Sequence, residues 1–446
     1  MPELLTGWGR TAPTAAVMDR PASVAEVVAA VRSPARALLA RGLGRSYGDA
    51  AQSAGGRVIS TLALADIELD ERRGTAVVGA GCSIDDLLRH VVPRGWFVPV
   101  TPGTRFVTIG GAIAADVHGK NHHVDGAFGR HVRWLDLVDG VGQGRRLSPT
   151  QDPQAFWATV GGLGLTGVVT RAEISLRRIE SSWMQVTTAR AGNLAALMAG
   201  LREHDQRFRY TVAWIDVMAR GRALGRGVLT SGDHAPARDV VESGVRDPRA
   251  YAPTVRATMP SLPRSAVNQP GGRAFNTLWY RKAPAFQEGA LQPLGAFFHP
   301  LDAVRAWNRA YGPRGFLQYQ FVVPDGREDI VENAAAGLQH TGVPAFLAVL
   351  KRFGAAGPAP LSFPRPGWTL AMDIPVAAVD RVAAALDALD EQVAAAGGAV
   401  YLVKDARCRP ELIERMYPQV EAWRAVRARL DPDRRFISDL SRRLAL

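Results

Sequence analysis

Two adjacent glycines, a run of small apolar residues and three of the chain's nine histidines fall within residues 108–123: Thr108, Gly110, Gly111, Ala112, Ala114, Ala115, His118, Gly119, Asn121, His122 and His123 lie among them. Side chains this small let the backbone press against something flat. A histidine directly after them can touch what lies there, and the segment reads as resting on a flat ring such as a flavin. Three histidines in six residues also raise metal binding. No cysteine or acidic cluster stands around them at ligand spacing beyond Asp116 and Asp125, so no metal is expected.

Two further glycine clusters flank this segment. Gly42, Leu43, Gly44, Arg45, Ser46, Tyr47 and Gly48 follow a short apolar stretch at 37–40, and a glycine-rich loop after a strand offers backbone N–H groups to a phosphate. Taken alone this is equally a plain turn. Its spacing is G-x-G-x-x-x-G and its helix precedes it, which rejects a nicotinamide-type βαβ start. Gly161, Gly162, Gly164 and Gly167 form the third cluster, ahead of Val168. A turn at Pro102, Gly103 and Thr104 delivers the chain to the central segment. Together the three clusters suit a cofactor with a pyrophosphate and a flat ring.

The elements that must position these groups are short. Ser23 and Glu26 read as a capping box opening a helix to about residue 32. Strands are expected at 37–40, 57–61, 75–81, 96–100 and 168–176, with a helix at 83–90 capped by Ser83. Past about residue 180 the pattern changes. Residues 183–215 read as strand, helix, strand; residues 219–295, rich in Pro, Gly and Arg, read as long loops. Strands are expected at 277–281, 316–323, 345–351, 367–373 and 399–405, the 316–323 strand setting Gln318 and Gln320 on one face. Asp325, Glu328 and Asp329 read as a solvated turn and helix start. Helices are expected at 377–396, 410–417 and 420–430. Helices mixed with antiparallel strands make an α+β fold.

Composition narrows the class. The 446 residues are 47% hydrophobic and 22% charged, with 54 Lys+Arg against 42 Asp+Glu for a net +12. That is ordinary for a globular chain of two or three domains. The arginines are spread without blocks, so no nucleic-acid partner is expected; the basic balance suits a phosphorylated ligand, an anionic membrane surface, or solubility alone. Cys82 and Cys408 are too few for a disulfide framework. The first eighteen residues lack the pattern of a signal peptide, and no window approaches eighteen uninterrupted apolar residues. The expected location is cytoplasmic, or membrane-associated or periplasmic without a recognisable signal peptide.

The three glycine clusters resemble the vanillyl-alcohol-oxidase (PCMH-type) FAD flavoproteins. Residues 42–49, 118–123, 317–321, 361–364, 404–405 and 416–418 together resemble the decaprenylphosphoryl-ribose 2′-oxidase family within that group, the flavoenzyme half of an epimerase in arabinan synthesis for the cell wall. The resemblance implies a discontinuous FAD-binding domain at 1–180 and 400–446, and a substrate domain with an antiparallel sheet at 181–399. It implies cofactor contacts from Gly42, Leu43, Gly44, Arg45, Ser46, Tyr47 and Gly48, from Pro102, Gly103 and Thr104, from Thr108, Gly110, Gly111, Ala112, Ala114, Ala115, His118, Gly119 and Asn121, and from Gly161, Gly164, Gly167, Val168 and Tyr401. Arg45 stands where many relatives carry a histidine bonded to the flavin, so FAD is expected to be non-covalent. Lys404, His118 and Tyr47 match catalytic positions; Lys404 would take the hydroxyl proton or bind an anion. Gln318, Gln320, Lys351, Trp214, Thr369 and Ala371 match substrate-pocket positions. Two of these depart from the family: Ala371 replaces the cysteine attacked by covalent nitro-aromatic inhibitors, and Thr369 replaces a neighbouring asparagine. The implied activity is FAD-dependent oxidation of the 2′-hydroxyl of a polyprenylphosphoryl ribose to a ketone. The implied partners are a lipid-linked sugar phosphate, an NAD(P)H-dependent keto-reductase and peripheral attachment to a membrane. The alternative is oxidation of a soluble sugar, nucleoside or aldonolactone.

Overall fold

The computed structural model describes residues 2–345 and 347–446. Three sheets carry the architecture. Pro2–Leu5, Thr14–Asp19, Arg57–Ser60 and Leu38–Arg41 form a four-stranded sheet in that order, the last three parallel. Ile67–Asp70, Thr75–Gly79, Val168–Ser175, Val132–Val138 and Gly144–Leu147 form an antiparallel five-stranded sheet. The largest sheet has eight antiparallel strands, in the order Phe286–Pro293, Trp183–Ala191, Gly227–His234, Tyr210–Ile215, Ala348–Phe353, Gly367–Pro375, Phe316–Val323 and Ala399–Val400. Mixed helices and antiparallel sheets make the fold α+β. No helix among the described residues is long and apolar enough to cross a membrane.

The large sheet has two chemically different faces because side chains alternate along each strand. Tyr319, Phe321, Leu350, Leu370 and Met372 join a core with the helices Leu194–Arg207, Glu328–Thr341 and Val379–Ala395. Residues one step out of phase face the other way. Cross-strand register pairs Gln318 with Asp373, Gln320 with Ala371, Val349 with Ala371, and Lys351 with Thr369. Polar and ionisable side chains from three strands far apart in sequence thus share one face.

Several elements follow the sequence reading. The Val24–Arg32 helix is capped by Ser23, and Ile84–Val91 by Ser83. The Phe316–Val323 strand has the expected ends. Others are corrections. Residues 277–281 lie in a helix, Gln269–Lys282, capped by the Asn268 side chain and with a proline in its first turn; the strand-forming types Leu278, Trp279 and Tyr280 hid it. Residues 219–295 are not loops throughout: Gly227–His234 and Phe286–Pro293 are strands of the large sheet. The strand expected at 399–405 stops at Val400. The Tyr401 carbonyl accepts the N–H of Lys404 at 2.9 Å and the chain turns. The strand expected at 96–100 covers only Trp96–Phe97, since Pro99 has no N–H with which to continue a ladder. The strand at 345–351 begins at Ala348, and Phe346 lies outside the described residues.

Candidate active site

A cavity of about 320 Å³ lies between the glycine-rich segments and the polar face of the large sheet. Close backbone approach builds its first wall. A Cβ on Gly42 would overlap the Thr108 side chain, and one on Gly48 would overlap the Asp405 carbonyl. Only glycine lets the 42–48 loop sit against both the central segment and the Lys404 turn. Tyr47 N–H donates to the Val403 carbonyl at 3.0 Å, fastening loop to turn. Thr108 caps the short Ile109–Ala114 helix by accepting from Gly111 N–H at 3.2 Å. Gly103 and Gly164 also line the cavity, and a Cβ on either would meet nothing within 4 Å. Their missing side chains leave room on the cavity side.

The chain reaches His118 through a constrained turn. Asp116 has φ 39° and is buried, a conformation that costs on the order of 1–3 kcal/mol for a residue other than glycine. Its carboxylate holds the turn in place, accepting from Gly129 N–H at 2.8 Å and from the Ser362 hydroxyl at 2.5 Å. His118 then sits among aromatics, with ring centroids 4.8 Å from Phe353 and 5.1 Å from Tyr401. Burial, reinforced by Lys351 and Lys404, keeps its pKa well below the ordinary histidine value. Neutral His118 accepts from Gln320 Nε2 at 3.2 Å through its own Nε2, which leaves the proton on Nδ1. That Nδ1 is buried and has no partner among the described residues.

The second wall is the sheet. Gln318, Gln320, Lys351 and Ala371 line the cavity with Tyr47, His118, Tyr401 and Lys404. Asp373 lies behind Gln318 and is fully buried; it accepts from Gln318 Nε2 at 2.5 Å and from the Tyr311 hydroxyl at 3.3 Å. Burial lowers Lys404 and raises Asp373, while each opposes the other's shift by attraction. Burial, with repulsion from Lys404 and Lys120, takes Lys351 down to about 7. Lys351 and Lys404 keep some accessible surface, and it faces the cavity. Asp405 does not compete for Lys404: its carboxylate lies 2.9 Å from Arg443. Burial raises Tyr47, so it stays protonated. The site therefore holds amines that become neutral near physiological pH beside neutral hydrogen-bonding groups, an arrangement suited to accepting a proton from an alcohol.

The structure separates the residues read from the sequence. Gly42, Leu43, Gly44, Arg45, Ser46, Pro102, Gly103, Thr104, Thr108, Gly110, Gly111, Ala114, Ala115, Gly164, Gly167 and Tyr401 line the cavity. Gly48, Ala112, Gly119, Asn121, Gly161 and Val168 do not line the cavity. Thr369 is buried behind Gln320, accepting from its Nε2 at 3.0 Å; Trp214 pairs with Val349 in the sheet but does not line the cavity. His122 and His123 are structural: His122 Nδ1 accepts from Gly354 N–H at 3.2 Å, and His123 Nε2 lies 3.0 Å from the Phe208 carbonyl.

Residues 15–148 match the FAD binding domain family. The chain is 40% identical to decaprenylphosphoryl-β-D-ribose oxidase of Mycolicibacterium smegmatis over 99% of its own length and 97% of that protein's. It belongs to the decaprenylphosphoryl-β-D-ribose oxidase family. It is also 41% identical to an uncharacterized protein of Streptomyces coelicolor, over 81% of this chain and 99% of that one. Cytokinin dehydrogenase 2 of Arabidopsis thaliana is 28% identical over 31% of this chain and 27% of its own. The plant enzyme's likeness is confined to part of the chain, whereas likeness to the mycobacterial oxidase runs throughout.

Like the family to which it belongs, the protein is an FAD-dependent oxidoreductase. The wall of glycines with open space before it fits such a flat cofactor, as does the orphaned His118 Nδ1. Arg45 lies 3.9 Å above the Trp8 ring, and a guanidinium offers no imidazole nitrogen to bond the flavin. Sequence reasoning missed Trp8, Arg41, Leu301, Trp307, Leu347 and Val403, which also line the cavity. Arg41 carried a signal, as a cation opening a glycine loop; the others belong to no motif. Asp373 was in view only as the end of an expected strand. The register partner of Gln318 would have identified it.

Proposed function

We propose that the protein oxidises the 2′-hydroxyl of a polyprenylphosphoryl-β-D-ribose to the 2′-ketone, and that an NAD(P)H-dependent reductase completes the epimerisation at a membrane surface. We assign FAD to residues 1–180 and 400–446, which supply the glycine-rich wall, and substrate to 181–399, which supply the sheet wall. The observation that carries this reading is the convergence of Lys404, Lys351, Gln318, Gln320 and His118 on one cavity that the glycine-rich segments also line. Bound FAD supplies a hydride acceptor and is held non-covalently. Neutral Lys404 takes the hydroxyl proton as the carbon gives up hydride, so the alcohol loses two electrons and two hydrogens. Gln318 and Gln320 each have a buried amide oxygen without a partner; these accept from the sugar's remaining hydroxyls, because burying such oxygens unpaired costs about 1–3 kcal/mol each. Arg45, at the cavity wall, offers positive charge for the phosphate.

Anaerobic mixing with candidate substrates tests this through the flavin's visible absorbance. Bleaching by a polyprenylphosphoryl ribose, and not by free ribose, nucleosides or aldonolactones, is expected. Bleaching by a soluble sugar or lactone alone would replace the lipid-linked assignment.

A further inference from the structure

The Gln269–Lys282 helix is amphipathic in the reverse of the usual sense. Its buried positions are Gly272 and Asn276. Asn276 Nδ2 donates to Asp216 at 2.7 Å, and Arg226 ties the same patch down through Asp216 at 2.9 Å and the Thr277 hydroxyl at 3.0 Å. The helix is therefore docked by polar contacts. Its outward stripe is apolar: Leu278 is 68% exposed, with Phe275 and Trp279 each 46% exposed, and Phe286 just beyond the helix 60% exposed. Phe275 and Trp279 stack on each other, with centroids 6.0 Å apart. Burying Asn while exposing Leu and Trp opposes folding in water. At the end of the stripe Arg281 and Lys282 are exposed and form no ion pair among the described residues.

The segment leading into the helix also touches a turn that reaches the cavity wall. Gln269 adjoins Gly342. Ala266 N–H donates to the Ala310 carbonyl at 2.8 Å, in the turn that carries Trp307 to the cavity wall.

We propose that this outward face docks on an anionic lipid bilayer. Aromatic and aliphatic side chains followed by cations on one stripe suit the boundary between acyl chains and headgroups. The unpaired Arg281 and Lys282, on a chain of net charge +12, complement anionic headgroups. Docking there brings the protein to the bilayer that holds its substrate, which rests on the reading of the substrate as lipid-linked.

Flotation of the flavin-loaded protein with vesicles provides the test. The protein is expected to float with vesicles of phosphatidylcholine and phosphatidylglycerol, and far less with phosphatidylcholine alone or in high salt. The Leu278→Ser/Trp279→Ser double variant is expected to lose flotation, and Arg281→Gln and Lys282→Gln to weaken binding on the order of fivefold each. All should keep their flavin absorbance and their bleaching by detergent-dispersed substrate, which shows that they fold. Absence of flotation by the unaltered protein, or variants that float equally well, would overturn the proposal. So would a dimer that dissociates in the double variant without any vesicle binding, since the face would then belong to a protein contact. Flotation without bleaching by any ribosyl lipid would instead count against the proposed substrate and leave the docking face standing.

Discussion

The two walls of the cavity are built on opposite principles. The glycine-rich wall is made of backbone: Gly42, Gly48 and Gly110 permit close approaches, and Gly103 and Gly164 leave open space. The sheet wall is made of side chains: Gln318, Gln320, Lys351 and Asp373 come from three strands and meet only through antiparallel register. One wall fixes a shape and the other a set of protonation states. Changes in the first should remove the cofactor outright, and changes in the second should leave the cofactor bound and alter rate or pH dependence.

The largest effect is expected from Gly42→Val. Its branched side chain would collide with Thr108, displacing the first glycine loop from the central segment, and the purified protein should be colourless. Gln320→Leu comes next. It removes the donor to His118 and Thr369 without touching the glycine wall, so flavin should stay bound while flavin reduction falls about 10- to 100-fold, as expected for about 1–3 kcal/mol of lost buried hydrogen bonding. Asp373→Asn should act on pH. Above neutrality the Asp373 carboxylate favours the Lys404 cation; without it Lys404 loses its proton more easily. The acid limb of the rate profile for flavin reduction should therefore move to lower pH by roughly one unit, and a rise in that limb would contradict the pairing. The smallest effect on turnover is expected from Ala371→Cys. The native thiols of Cys82 and Cys408 are buried and held protonated, Cys82 at about 12, so nitro-aromatic inhibitors should leave no adduct on the unaltered protein. The variant should acquire one, read by intact-protein mass, with its rate within about twofold because Ala371 only lines the cavity.

The same contrast explains what the sequence makes legible. Clusters of glycine with small residues are local, so all three are visible in the linear sequence as pieces of one cradle. The ends of the Phe316–Val323 strand, and the shared face of Gln318 and Gln320, follow from alternation alone. Lys404, Lys351 and Ala371 come only through resemblance, since nothing local joins residues 351, 371 and 404. Asp373 escapes because its partner is chosen by register, which the sequence does not display. Trp8 and Trp307 meet in a T-shaped contact at 5.8 Å, across 299 positions of chain without a motif. The Gln269–Lys282 helix hides because its apolar stripe points outward. Periodicity arguments assume that the apolar face is the buried one.

The central claim is that the turn after the last sheet strand supplies a lysine, neutral in use, that removes the substrate's proton. Stopped-flow reduction of the flavin under anaerobic conditions, in the unaltered protein and in Lys404→Met across pH, measures it directly. The account predicts equal flavin content in both, a rate that rises with pH through the neutral to mildly alkaline range in the unaltered protein, and a rate lower by about 10²- to 10⁴-fold and flat with pH in the variant. A variant that bleaches as fast as the unaltered protein with the same pH profile would contradict it.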